Sequence, residues 1–184
     1  MRQALAEATA ALDHHRVSYA LIGGLAASYR SQPRFTKDID FLIKVPQIVL
    51  PPLLEDLQRR GFQLDTLATI GEWTEHHMAT LSYHGIRIDW LKPLIPAYLH
   101  VLERATVEPW LDHSLRIASA EGLIILKLVA FRSQDQVDIE NLVAANSHQL
   151  DLDWIKAEWQ TIAGLDDPRM LRLLELVGQS KPTA

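Results

Sequence analysis

The chain has 184 residues, a formal charge of −5 and no cysteine. With 48% apolar and 22% charged residues it has the make-up of a globular protein with one substantial core. The missing thiols exclude disulfides, cysteine nucleophiles and cysteine-based zinc or iron–sulfur sites, while the acidic balance argues against broad charge-driven nucleic-acid binding and leaves room only for a local basic patch.

Taken in chain order, "MRQALAEATAALDHHR" places Ala4, Leu5, Ala8, Ala11 and Leu12 at helical spacing and predicts a helix over 2–15. Glu7 and Asp13 interrupt it, so it does not read as a signal peptide. No segment has the uncharged apolar length that spans a bilayer, and the expected location is the cytoplasm, with no membrane partner. "VSYALI" (17–22) predicts a strand that ends in a tight turn at Gly23–Gly24. "LAASYRSQ" then predicts a short helix stopped by Pro33, and "DIDFLIKV" (38–45) a strand closed by Pro46. Pro51 and Pro52 suit the first turn of a helix that stops at Gly61. "HMATLSYHGIRIDWL" (77–91) predicts a hairpin turning at His84–Gly85.

From about residue 94 the pattern becomes helical, beginning with "IPAYLHVLERA", and "LRIA" is the one candidate for a late strand. Ser119 is placed to cap "AEGLIILKLVAFR", after which "DQVDIENLVAAN" continues as a helix. Asp153 precedes "WIKAEWQTIAG", where Trp154 and Trp159 read as core or interface residues, and Pro168 heads "RMLRLLELVG". Disorder is expected only at the ends, most clearly in "GQSKPTA". The fold class is α+β: a mixed-sheet core over 1–118, then a helical region over 119–184 packed on it.

The chemistry concentrates in "YALIGGLAASYRSQPRFTKDIDFLI". Residues two apart on a strand share a face, so Asp38 and Asp40 project side by side. Asp89 lies on the polar face of the second hairpin strand with Arg87; the plainer reading makes it that arginine's salt-bridge partner. If this strand lies beside residues 38–44, three carboxylates converge and repel unless a divalent cation sits among them. Hard oxygen donors of this kind suit Mg²⁺ or Mn²⁺. A strand, Gly23–Gly24 and a helix start form the kind of backbone cradle that attracts phosphate. Arg34 and Lys37 stand where they could steer a triphosphate, or they belong to a solvated loop. The histidine pairs His14–His15 and His76–His77 do not favour zinc: adjacent side chains are expected to diverge, and no H-E-x-x-H spacing exists.

"LIGGLAASYRSQPRFTKDID" with "IRIDWL" resembles the nucleotidyltransferase superfamily signature, h-G-[GS] … D-h-[DE] … h-[DE]-h. The R-x-T-K-D-I-D flavour and "LKLVAFRSQDQVDIENL" are similar to its AbiEii-type bacterial branch, many of whose members act in toxin–antitoxin and abortive-infection systems. The likeness runs from about residue 17 to 143. It implies transfer of a nucleoside monophosphate from an NTP, ATP or CTP foremost, to an RNA (a tRNA 3′ end) or protein acceptor. Gly23 and Gly24 would hold the triphosphate, and Asp38, Asp40 and Asp89 the metal. Lys127 would approach phosphate, with Asp135 or Asp138 orienting it. Read on their own, Lys127 needs a cleft or a route to solvent, and Asp135 and Asp138 equally suit a helix cap and a solvated face. Where the signature often has serine after its first glycine, this chain has Gly24, so a hydroxyl contact to phosphate is lost. A cognate antitoxin or toxin partner and a homodimer are compatible with the resemblance.

Two other functions remain open. One is a catalytically silent nucleotide-binding or antitoxin-like module on the same fold. The other is a small-molecule, aminoglycoside-type transferase, for which Glu72, Glu75 and Asp112 are the available acidic residues.

Overall fold

The computed structural model describes residues 1–110 and 113–180. Asp112 and residues 181–184 of the expected disordered tail lie outside them, while residues 178–180 close the last helix.

The chain begins with helix α1 (Arg2–His14), which buries Ala4, Leu5, Ala8, Ala11 and Leu12 on one face. Strand β1 (Ser18–Ile22) runs straight into α2 (Gly23–Arg30), so the expected turn shrinks to Gly23 itself, whose φ is +65°. The helix ends at Arg30, ahead of Pro33. Strand β2 (Ile39–Lys44) follows, then α3 (Leu50–Arg59), with prolines in its first turn, and α4 (Thr66–Glu75). The hairpin is β3 (Met78–Tyr83) and β4 (Ile86–Leu91), and its turn residues His84 and Gly85 both take positive φ.

The remaining elements are α5 (Pro96–Glu103), β5 (Thr106–Trp110), β6 (His113–Ile117), α6 (Ala120–Ala130), α7 (Ser133–Asn146), α8 (Leu152–Gln160) and α9 (Pro168–Ser180). Ser119 caps α6 by accepting from Gly122 N–H at 3.1 Å. The cap of α8 is Asp151, which accepts from Trp154 N–H, and Asp153 lies inside the helix.

The six strands form one mixed sheet in the order β3-β4-β2-β1-β6-β5. β2 pairs with β4, and β1 with β6, in parallel; the other pairings are antiparallel. Ile39, Phe41 and Ile43 on β2 and Ile88 and Trp90 on β4 are fully buried. The helical second half is not remote from the sheet region: α6 packs on α2, α5, α7 and α8. The architecture is α+β, as the element pattern predicts, with two differences. The sheet continues through a second hairpin, β5–β6, because Pro109 is tolerated on an edge strand that needs no inner ladder bond there. The helix α4 goes beyond the sequence reading because it buries little, only Thr69 and Trp73, and so leaves no strong apolar stripe.

Candidate active site

The parallel register of β2 and β4 sets Asp40 directly opposite Asp89, and Phe41 opposite Trp90. Aligned residues on neighbouring strands share a face, so the two carboxylates are side by side while the aromatic pair is buried on the other face. Asp38 stands two residues before Asp40, in the segment just ahead of β2. Asp40 registers the crowding: burial first, then the charges of Asp89 and Asp38, push its carboxyl up to about 6. A hydrogen bond from Gly24 N–H and the charge of Lys127 offset part of this.

The glycines explain how the start of α2 comes so close to β2 and to the 31–38 loop. A Cβ on Gly23 would lie 1.9 Å from Asp40 Oδ2, and one on Gly24 would lie 2.9 Å from both an Arg34 guanidinium nitrogen and Thr36 Oγ1. Both positions are therefore emptied for the neighbouring side chains, and the Gly24 amide is engaged by Asp40 rather than left free for an anion.

On the opposite wall, Lys127 is buried in α6 and its Nζ donates to Asp135 at 3.3 Å and to Asp138. Asp138 also takes a two-pronged contact from Arg34, at 2.8 and 2.9 Å. Asp135 accepts from the Arg132 backbone at 3.1 Å and its side chain at 2.7 Å, closing the capping box of α7. Burial alone would raise both aspartates. The Arg132 hydrogen bond and the Lys127 charge outweigh it at Asp135, and the Arg34 and Lys127 hydrogen bonds outweigh it at Asp138, so both sit below the usual carboxylate range. The two acids thus clamp the lysine and tie the 31–38 loop to α6 and α7; both are buried, and neither is the solvated-face residue the spacing also allowed.

These groups surround one cleft of about 600 Å³. Gly23, Gly24, Arg34, Asp38, Asp40, Asp89, Lys127 and Asp135 line it. Lys37 is exposed and does not, and Asp138 acts from behind Lys127 and Arg34. Asp89 carries both of its anticipated relations: it faces Asp40, and its Oδ1 accepts from Arg87 Nε at 2.9 Å and Thr80 Oγ1 at 2.7 Å. Sequence reasoning passed over Thr36, Tyr98, Arg132 and Gln134, which also line the cleft. The alternation of 34, 36 and 38 ahead of β2 is a signal that could have found Thr36; Tyr98 and Gln134 carried none.

Away from the cleft, His14 and His15 do not diverge. As the last residue of α1 and its cap they stand edge to face, 5.0 Å apart, and together approach Asp56 of α3. Both oxygens of Asp56 are taken by arginines at the end of its own helix, Arg59 at 3.4 Å and Arg60 at 3.2 Å, and Arg60 in turn ties α3 to α1 through Glu7 at 3.1 Å.

No family profile and no curated protein matches the chain. Among solved structures it is similar to an antigenic nucleotidyltransferase-like protein from Paracoccidioides brasiliensis, at 15% identity and TM-score 0.47, covering 95% of this chain and 92% of that one. It is similar at 14% identity and TM-score 0.47 to the antibiotic-resistance factor ANT(2'')-Ia, covering 96% and 81%. A third likeness, 12% identical with TM-score 0.32, is to a tRNA nucleotidyltransferase complexed with a primer tRNA and an incoming ATP analog; it covers 92% of this chain but only 59% of that one.

Proposed function

We propose that the cleft is the active site of a metal-dependent nucleotidyltransferase that moves a nucleoside monophosphate from an NTP to a hydroxyl of an RNA, a tRNA 3′ end foremost, or of a protein. The observation that carries this reading is Asp40 set opposite Asp89 in the β2–β4 register, with Asp38 two residues before it. The donor set fits Mg²⁺ or Mn²⁺: it is made of hard anionic oxygens, and the repulsion that raises Asp40 is what a divalent cation would relieve. When bound, such a cation polarises the α-phosphate and lowers the pKa of the attacking hydroxyl.

The chain's own groups divide the rest of the work. Asp38, Asp40 and Asp89 would hold the cation. Arg34, Lys127 and Arg132 bring positive charge to the side of the cleft where a triphosphate would lie. Asp89 Oδ2, which no described residue engages, is the oxygen it would offer to the cation, and the proton of the acceptor hydroxyl passes to solvent water. The hydroxyl oxygen bonds to the α-phosphorus, the bridging P–O bond to the β-phosphate breaks, and pyrophosphate leaves with the electron pair. The RFTKDID stretch supports a place beside toxin–antitoxin nucleotidyltransferases, with a cognate antitoxin or toxin as partner.

A binding-only module is the second reading. It is favoured by the way Arg87 and Thr80 occupy Asp89 Oδ1 while Asp135 and Asp138 neutralise Lys127. Incubation with each α-labelled NTP, Mg²⁺ and total RNA or lysate separates the two: labelled acceptor supports transfer, whereas binding without label in any combination supports the module.

A further inference from the structure

The cleft is not chemically uniform: beside Asp40, Asp89 and Lys127 it is lined by the apolar Met78, Leu91, Leu123 and Leu126. Along α6 the lining residues Leu123, Leu126, Lys127 and Ala130 stand at helical spacing on one face. Moving from Lys127 back to Leu123, about 6 Å along the axis, replaces a charged group with apolar surface. Along β4 the face that carries Arg87 and Asp89 ends in Leu91, about 7 Å beyond Asp89. Met78 sits across from Leu91 in the β3–β4 register and also lines the cleft.

Tyr98 of α5 lines the same cleft. Helix α5 lies tight on α6, with Val101 Cγ1 only 3.0 Å from where a Cβ of Gly122 would stand, and Tyr98 is one turn before Val101. Its hydroxyl makes no hydrogen bond to any described residue, and burial is the one influence that raises its phenol. A half-buried phenol left without a partner, in a cleft that also offers Leu91, Leu123 and Leu126 as apolar lining, is equipped for a ligand that is flat, apolar on its faces and polar at its edge.

We propose that the apolar part of the cleft is the nucleobase subsite, with Leu91 and Leu123 packing on the base and the Tyr98 hydroxyl hydrogen-bonding its edge. The inference rests on the nucleotidyltransferase reading above and adds to it the residue that selects among nucleotides. Tyr98 is a binding and specificity residue; it takes no part in proton transfer.

The test compares ATP with inorganic tripolyphosphate, which carries the charge and lacks the base. Both are titrated in Mg²⁺ against the wild type, Tyr98→Ala and Tyr98→Phe by calorimetry. Tyr98→Ala is expected to weaken ATP about 10-fold, the scale of one lost hydrogen bond, and to leave tripolyphosphate affinity unchanged. Tyr98→Phe keeps the ring and the packing, so it should melt like the wild type while narrowing the spread of affinities among ATP, CTP, GTP and UTP. Equal weakening of ATP and tripolyphosphate by Tyr98→Ala would overturn the subsite, as would an unchanged ATP affinity in both variants. So would a loss confined to an RNA acceptor, which would assign the apolar part to the acceptor instead. A wild type that binds neither ATP nor tripolyphosphate would bring down the nucleotidyltransferase reading itself, an outcome distinguishable from failure of the subsite alone.

Discussion

Asp40 offers a test in which the sign of the effect is diagnostic. Its carboxyl rises from 3.8 to about 6 in the folded chain, roughly two units at about 1.4 kcal/mol each, or ~3 kcal/mol against the charged form. Between about pH 4 and 6 the folded chain keeps a proton that the unfolded chain has released, so stability from this group falls as pH rises through that window. Asp40→Asn removes the charge, keeps the shape and can still accept from Gly24 N–H. At pH 8 without divalent cation the variant should be more stable than the wild type by about 2 kcal/mol, allowing for relaxation. For a chain of this length that is about 4–8 °C in Tm. At pH 4 the two should melt together. With millimolar Mg²⁺ or Mn²⁺ at pH 8 the wild type should gain and the variant should not, because only the wild type keeps the full carboxylate set. Melting curves at both pH values, with and without cation, are the assay. A variant that is less stable at pH 8, or a difference that does not change with pH, would refute the claim that the carboxylates strain one another.

Other perturbations follow from the same contacts. Gly23→Ala puts a methyl 1.9 Å from Asp40 Oδ2 at a φ of +65°, and should abolish the cation-induced rise in Tm. Gly85→Ala, at φ +79° with nothing within 4 Å, should cost only the backbone strain, about 1 kcal/mol, and leave the cation response intact. Asp138→Asn removes the charge shared by Arg34 and the buried Lys127, and should cost about 3 kcal/mol at pH 7. Asp138 is held below its usual range, so its contribution is present above about pH 4 and fades as pH falls through the lowered value; the gap between wild type and variant melts should narrow as the pH falls below about 4.

The Asp38–Asp40 pair was legible because a period-two pattern declares which side chains share a strand face, whatever the fold around them. Asp89 was legible as a third carboxylate, but its position needed the β2–β4 pairing, which no local pattern fixes. The glycines were visible as a conformational signal, yet their role as room for Asp40, Arg34 and Thr36 depends on tertiary approach. The same holds for the Arg34–Asp138 clamp, which joins residues 104 apart in the chain. Lys127 announced itself because a lone lysine in "GLIILKLVAF" needs an explanation; its partners eight and eleven residues on did not, since acids at that spacing equally suit a solvated helix face. The weakly amphipathic α4 and the proline-bearing edge strand β5 escaped for the opposite reason: their sequences understate elements that rest on the sheet and its flanking hairpins.

The most direct test follows the label. Parallel reactions with NTP labelled at the α- or the γ-phosphate, in Mg²⁺ with total RNA and with lysate, should place only the α-label on the acceptor. One pyrophosphate should be released per transfer, and both signals should vanish in Asp40→Asn and in Asp89→Asn. Transfer of the γ-label, or α-labelling that survives both substitutions, would contradict nucleotidyl transfer at this cleft.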